Sequence, residues 1–350
     1  MARATHYRTV LDYYGLFSAR WYSDTENQMT AMKQQMTQTK AFLIIGLGQT
    51  GLSCARFLMG KGHVVAMMDT REHPPGLDIV QTELPEVLIQ TGGLNRDVML
   101  KSDSIILSPG VDPRLPEIRA AREQGIEIIG DIELFTRYVD EPVIAITGSN
   151  GKSTVTTMLA EMAVMAGKHV QVGGNLGTSA LALITDPKPD FYILELSSFQ
   201  LETVSTLNAY AAVVLNISPD HLDRYDDVQH YQEAKAKVYA GSGTMVMNRD
   251  DELVNSWSSV NRNQIGFTLK SPTDNEFGVI NEAGERYLAY GHQRLIATTA
   301  LQVTGEHNIA NVLAALALGQ AMALPMPAML EAAKQYRGLP HRCQLVADNQ

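Results

Sequence analysis

Cysteine is almost absent from this chain: two in 350 residues, Cys54 and Cys343. That excludes a disulfide framework and a four-cysteine zinc site, and it fits a reducing compartment. Long apolar runs are missing too, with none near the ~18 residues of a membrane span and no apolar core of a secretion signal. Positive charge is also short: Lys+Arg is 28 against Asp+Glu 38, a formal charge of -10. A general polyanion binder leans the other way, which argues against duplex nucleic acid. A phosphate-rich metabolite remains possible wherever a few amides and cations converge. What the chain does have is a globular balance, 45% hydrophobic and 19% charged, which excludes disorder for most of its length. Its 38.4 kDa predicts two or three domains of ~100–200 residues. A soluble, cytoplasmic monomer with no membrane partner is the expectation.

Residues 1–40 stand apart. Arg3, Arg8 and Arg20 suggest targeting, but Asp12, Asp24 and Glu26 oppose it, so a poorly ordered extension is expected. From Ala41, AFLIIGLGQTG, LSCARFLMGKG and VVAMMD read as strand, helix, strand with glycine punctuation, a βαβ unit. VLIQ and SIILSPG extend the alternation, and DIELFTRYVDEP reads as a short helix and connector. A second α/β series begins near Pro142 with VIAITGSNGKST, followed by strands FYILEL and AAVVLNIS and helices over 228–239 and 307–324. The fold class is α/β: an N-terminal Rossmann-like parallel-sheet domain over 41–131, then a central P-loop ATPase-like domain over 132–338. GLPHRCQLV looks like the opening of another strand, so 339–350 are expected to start a further, truncated domain.

The sharpest motif is Gly148-Ser149-Asn150-Gly151-Lys152-Ser153-Thr154. A buried strand delivers a glycine loop to a helix start, where unpaired amides and the helix dipole suit phosphate oxygens. Lys152 can reach the β- and γ-phosphates and the Ser153 hydroxyl can ligate magnesium. Position 146 is Ile146, so this is a shorter loop than the standard P-loop. A helix cap that happens to hold a lysine is the plain alternative.

Gly46-Leu47-Gly48-Gln49-Thr50-Gly51 matches GxGxxG after a strand, and Asp69 ends the next strand. The same loop accepts any diphosphate. Thr70 and Arg71 directly after the acid could clamp a second anionic group, so NAD, a nucleotide sugar and a purely structural turn stay open. Three further residues could build a metal and carboxyl-activation site. Glu195 closes a strand, His221 follows another strand end, and Lys235 lies on a helix with Tyr231 and Tyr239 four residues to either side. Each alone has an ordinary surface explanation. Asn175, among Gly173, Gly174 and Gly177, suggests close approach to a polar ligand or simply a tight turn.

Taken in order, GSNGKST, GGNLG, ELSSFQLE, NISPDHLDRY, YQEAKAKVY, GEHNIANVLAALAL and GLPHR resemble the Mur ligases, and with GLGQTG and DTR the pattern is similar to their D-glutamate-adding branch. The resemblance covers Ala41 to Gln350. It implies an ATP-dependent amide ligase of cytoplasmic peptidoglycan precursor synthesis, tied to cell-wall growth, cell shape and division. It would add D-glutamate to UDP-N-acetylmuramoyl-L-alanine through an acyl phosphate.

By position, Gly148 to Thr154 would hold the ATP phosphates, with Lys152 on the transferring group. Ser153 and Glu195 would serve one magnesium ion and His221 and Lys235 a second. In the family that lysine is carbamylated, which needs the neutral amine that burial favours. Asn308 and Asn311 would contact the adenine, and Arg342 the ribose or a phosphate. Gln49, Thr50, Asp69, Thr70 and Arg71 would bind the UDP end, so the GxGxxG loop would not take NAD, and Asn175 and His221 would hold the muramoyl-alanine part. The family's D-glutamate domain would lie beyond this chain. The expectation is therefore that the 350 residues bind the UDP substrate, hold an incomplete ATP site and do not ligate usefully alone. Another Mur ligase, a nucleotide- and UDP-sugar-binding fragment without catalysis, and an NAD-dependent dehydrogenase are the alternatives.

Overall fold

The computed structural model describes residues 39–218, 224–225 and 227–339. The extension over 1–40, apart from its last two residues, lies outside the described residues. So do His221, Arg342 and nearly all of 339–350.

Continuous apolar runs become strands, the central ones buried on both faces as parallel sheets require and the edge ones partly exposed, as at Leu88. Five of them, β1 (Ala41–Ile45), β2 (Val64–Met68), β3 (Leu88–Gln90), β4 (Ser104–Leu107) and β5 (Glu127–Gly130), form a parallel sheet in the order β3-β2-β1-β4-β5. Leu43, Ile44 and Ile45 are fully buried. The chain leaves β1 first toward β2 and later toward β4, so the strand order reverses beside β1. Ligand crevices form where an open α/β sheet reverses in this way. The loop after β1 runs into helix α1 (Gln49–Gly60) at that point.

The second sheet has nine strands in the order β14-β13-β12-β11-β10-β9-β6-β8-β7. Its parallel part comprises β6 (Val143–Thr147), β7 (Val170–Gly174), β8 (Phe191–Glu195), β9 (Ala211–Val214), β10 (Thr244–Asn248), β11 (Gln264–Phe267) and β12 (Glu276–Glu282). β13 (Glu285–Tyr290) and β14 (Gln293–Ala297) add an antiparallel edge. The expected α/β plan holds, with one addition that sequence reading missed. β12 to β14 mix apolar, polar and charged residues and are only part-buried, and they lack the long apolar runs that marked the inner strands. Ala283 and Gly284, at φ 52° and 82°, turn β12 into β13, the backbone a two-residue hairpin needs.

The helix expected over 228–239 is α-helical only over Val228–Ala236; Lys237–Tyr239 is a 3-10 turn. Asp227 caps its start, its carboxylate accepting from the His230 amide at 2.8 Å. The apolar helix expected over 307–324 spans Glu306–Ala321, and an unanticipated helix follows at Met326–Gln335. Both pack on the helix Lys152–Met165 over one face of the second sheet, around Ile146, Val155, Met158 and Leu313. On the other face one apolar core runs from the first sheet into the second. Phe135 meets Tyr192 edge-on there, ring centroids 5.0 Å apart. Among the described residues no helix is long and apolar enough to cross a membrane.

Candidate active site

β6 ends at Thr147, and Gly148 and Gly151 take φ values of 152° and 86° before the helix Lys152–Met165 begins. Both positions need glycine. A Cβ on Gly148 would press on Leu215 at 3.0 Å, and one on Gly151 would collide with the Asn311 side chain. The loop is pinned from the strand next door. The Ser149 amide donates to Asn216 O at 2.9 Å, the Asn150 amide to Asn216 Oδ1 at 2.9 Å, and Asn216 Nδ2 returns to Asn150 O at 3.0 Å. The Ser149 hydroxyl lies 2.9 Å from the Tyr231 hydroxyl and accepts from the Ser218 amide at 2.9 Å. Lys152 folds across its own loop, with Nζ 3.0 Å from both Gly148 O and Ser149 O. Ser153 is buried in the first helical turn.

Glu195 and Lys235 converge on this loop. β8 pairs with β6 so that Glu195 lies beside Ile146, and Glu195 is 2% exposed. Its Oε1 accepts from Asn175 Nδ2 at 2.7 Å, and its buried Oε2 has no hydrogen-bond partner. Gly174, at φ 98°, has no room for a Cβ against Glu195 O, so the turn and the acid form one unit. Lys235 is also 2% exposed. Its Nζ donates to Gly148 O at 2.9 Å and lies 4.9 Å from the centre of the Tyr231 ring. Tyr239, expected on that same face, turns away. Its hydroxyl accepts from the Val214 amide and donates to Val246 O, tying β9 to β10, because the 3-10 turn rotates it off the helix. Asn311 reaches the loop, whereas the half-buried Asn308 donates to Thr304 O. Among the described residues no three His, Cys, Asp or Glu side chains cluster as a metal site.

A cleft of ≈ 620 Å³ lies where the first sheet reverses. Gly46, Gly48, Gln49, Thr50, Asp69, Thr70 and Arg71 line one side, and Ser108 to Asp112 continue it. Gly174, Asn175, Gly177, Ser179 and Gln200 supply the other wall from the second sheet. Asp69 braces the glycine loop. Its carboxylate accepts from the Leu47 amide at 2.8 Å and the Arg71 amide at 2.9 Å, and from the Arg71 guanidinium at 2.8 and 2.7 Å. Burial alone would raise its pKa, but the Arg71 guanidinium and the two amides outweigh that and hold it below the usual range. Arg71 leaves half its side chain in solvent. Arg224 ties the two walls, donating to Val111 O at 2.9 Å and Glu202 at 3.2 Å while lying over the Phe199 ring.

The structure thus gathers Lys152, Glu195, Lys235 and Asn311 around loop 148–154, and Gln49, Thr50, Asp69, Thr70 and Arg71 around the cleft. Asn175 touches both groups. Sequence reading missed Gln200, although it sits inside ELSSFQLE, and the Asn216 and Ser149 contacts that shape the loop. Only the sheet order brings those partners together.

Residues 146–319 match the Mur ligase middle domain, and residues 40–130 the N-terminal domain of MurD-like Mur ligases. A UDP-N-acetylmuramoylalanine--D-glutamate ligase of Nitrosococcus oceani is 53% identical over 306 residues, covering 87% of this chain and 68% of the relative. The chain belongs to the Mur ligase family. The ligase of the same name from Acinetobacter baylyi is 48% identical over 87% of this chain and 67% of its own length. Among solved Mur ligases, the UDP-N-acetylmuramate:L-alanyl-gamma-D-glutamyl-meso-diaminopimelate ligase of Neisseria meningitides superposes with a TM-score of 0.61 at 17% identity. That match covers 87% of this chain and all of that one. The UDP-N-acetylmuramate-alanine ligase of Thermotoga maritima gives 0.55 at 22% identity, over 89% of this chain and 71% of that one. These structures share the fold. Mur ligase membership implies use of ATP and magnesium.

Proposed function

We propose that this chain binds UDP-N-acetylmuramoyl-L-alanine in the cleft and the phosphates of ATP on loop 148–154, for the ATP-dependent joining of D-glutamate in peptidoglycan precursor synthesis. The observation that carries this reading is Asn175. It lines the cleft and its Nδ2 is 2.7 Å from Glu195, whose other oxygen is buried and unpartnered next to the phosphate loop. One side chain therefore joins the wall where an acyl carboxylate would end to the place where a terminal phosphate would begin.

In this reading, segment 41–131 is the UDP-substrate domain and 132–338 the ATP domain. A carboxylate repels an attacking amine and has no leaving group. Transfer of the γ-phosphoryl breaks its bond to ADP and forms an acyl phosphate. The amine of D-glutamate then forms the C–N bond, the C–O bond to phosphate breaks, and the amine loses a proton. The amides of the glycine loop and Lys152 stabilise the charge on the transferring oxygens.

The donors present fit magnesium. Glu195 offers a buried oxygen without a partner, and Ser153 a hydroxyl in the first turn. Both are hard oxygen ligands, and magnesium takes its remaining positions from water and phosphate. Magnesium held there would neutralise phosphate charge. His221 and a carbamylated Lys235 would serve a second ion. For Lys235, burial supports the neutral amine that the modification needs. Asn311, beside the loop, and Asn308 would contact the adenine, with Arg342 assigned to the ribose or a phosphate. Gln49, Thr50, Thr70 and Arg71 take the UDP end, with Asp69 bracing their loop.

Calorimetric titration of the chain with UDP-N-acetylmuramoyl-L-alanine tests the cleft, with NAD as the competing ligand. D-glutamate-dependent phosphate release by the protein that carries this chain tests the reaction. Binding of NAD in place of the UDP compound, or phosphate release indifferent to D-glutamate, would defeat the assignment. Intact mass with and without bicarbonate tests carbamylation.

A further inference from the structure

The helix Asp131–Thr136, directly after β5, sends two acids into the joint between the sheets; Asp131 is 3% exposed and Glu133 0%. Both face the stretch that follows β8. Glu133 is fully met: it accepts from the amides of Ser205 and Thr206 at 2.8 and 2.9 Å, from the Thr206 hydroxyl at 3.0 Å and from Arg137 at 3.1 Å. Asp131 is not. Its Oδ2 accepts one bond, from Gln200 Nε2 at 2.9 Å, while its Oδ1 is buried with no hydrogen-bond partner. Burial pushes its carboxyl up to about 6, although the Gln200 amide and the backbone amides of Asp131 and Ile132 pull the other way.

A half-satisfied buried carboxylate is a costly way to hold two sheets together. The apolar core around Phe135 and Tyr192 already does so. What an apolar residue could not do is orient Gln200. That carboxamide lines the cleft and is held at both ends. Its Oε1 accepts from the Ser197 amide at 3.1 Å and the Ser197 hydroxyl at 3.3 Å. A carboxylate without a proton only accepts, so it forces the amide nitrogen toward itself and the oxygen toward Ser197.

We propose that Asp131 is a positioning residue for the substrate cleft, fixing through Gln200 the wall that the second sheet presents to the UDP-linked substrate. The proposal rests on the reading of that cleft given above. It predicts that a change at Asp131 is felt in the cleft only while Gln200 is there to transmit it.

Binding of UDP-N-acetylmuramoyl-L-alanine to the full chain, measured by calorimetry, tests this. Asp131→Leu and Gln200→Ala should each weaken binding about 10-fold, and Asp131→Asn, which keeps an acceptor oxygen, should recover most of it. The double variant Asp131→Leu/Gln200→Ala should bind no worse than Gln200→Ala alone. Asp131→Thr, too short to reach Gln200, replaces Asp131→Leu if the latter does not fold. Binding by Asp131→Leu equal to that of the unsubstituted chain, or losses that simply add in the double variant, would overturn the proposal and leave the cleft assignment standing. An unsubstituted chain that binds none of the UDP compound overturns the cleft assignment, and this proposal with it.

Discussion

The loops Gly46–Gly51 and Gly148–Lys152 each carry a buried strand into a helix through positive-φ glycine, at 107° for Gly46 and 86° for Gly151. What stands behind them differs. Behind the first is Asp69, engaged by Leu47 and Arg71, so that loop is held by bonds already made. Behind the second, Lys152 and Lys235 both reach Gly148 O, and Glu195 keeps a buried oxygen without a partner. The same backbone device therefore serves two purposes. A loop closed by internal bonds suits a part of the substrate that does not react. A loop ringed by cations and a carboxylate with one oxygen left unpartnered suits a phosphoryl group whose charge moves during transfer.

The contrast predicts separable losses. Lys152→Ala should lower D-glutamate-dependent phosphate release about 1000-fold. Calorimetry should find its affinity for UDP-N-acetylmuramoyl-L-alanine within about 3-fold of the unsubstituted chain, since the site proposed for that ligand is the other loop.

Next in size are two alanines at glycines. Gly51→Ala drives a Cβ into Gly46 O, and Gly151→Ala drives one into Asn311. Each should cost its own ligand about 100-fold, the UDP compound for the first and Mg-ATP for the second, and leave the other ligand nearly untouched. Equal losses of both ligands in either variant would break the comparison.

Glu195→Gln keeps the shape but not the charge, and it should raise the magnesium concentration needed for half-maximal phosphate release about 10-fold. The smallest effect belongs to Asp69→Asn, about 5-fold in affinity for the UDP compound, because the loop keeps its backbone bonds. Its pH signature sharpens the test. Asp69 is held below the ordinary carboxyl value of 3.8, so the stability it lends is fully present above that value and is lost as pH falls through its lower folded value. Thermal unfolding of the chain and of Asp69→Asn should differ at pH 6 and converge as the pH drops below 3.8 and through the lower folded value.

The inner strands and both glycine loops were legible in the sequence because their signals are local. An unbroken apolar run marks a strand buried on both faces, and glycine marks a backbone that only glycine adopts easily. The antiparallel edge β12–β14 was not legible, because its part-buried strands mix charged, polar and apolar residues with neither a long apolar run nor a clean alternation. Tyr239 was misplaced for a related reason: helical spacing was extended one turn beyond the point where the helix tightens.

By itself the sequence determined the order of strand, glycine loop and helix, and which acids and amides stand at strand ends and which lysines on helices. Those are matters of conformational preference and burial within a few residues. Only the tertiary structure decided that Asn175 would meet Glu195, that Lys152 and Lys235 would share one carbonyl, and that Asp131 would hold Gln200. These pairings follow from β6 lying between β8 and β9 and from the two sheets sharing a core. That arrangement is selected by the whole chain's packing, and no local pattern encodes it.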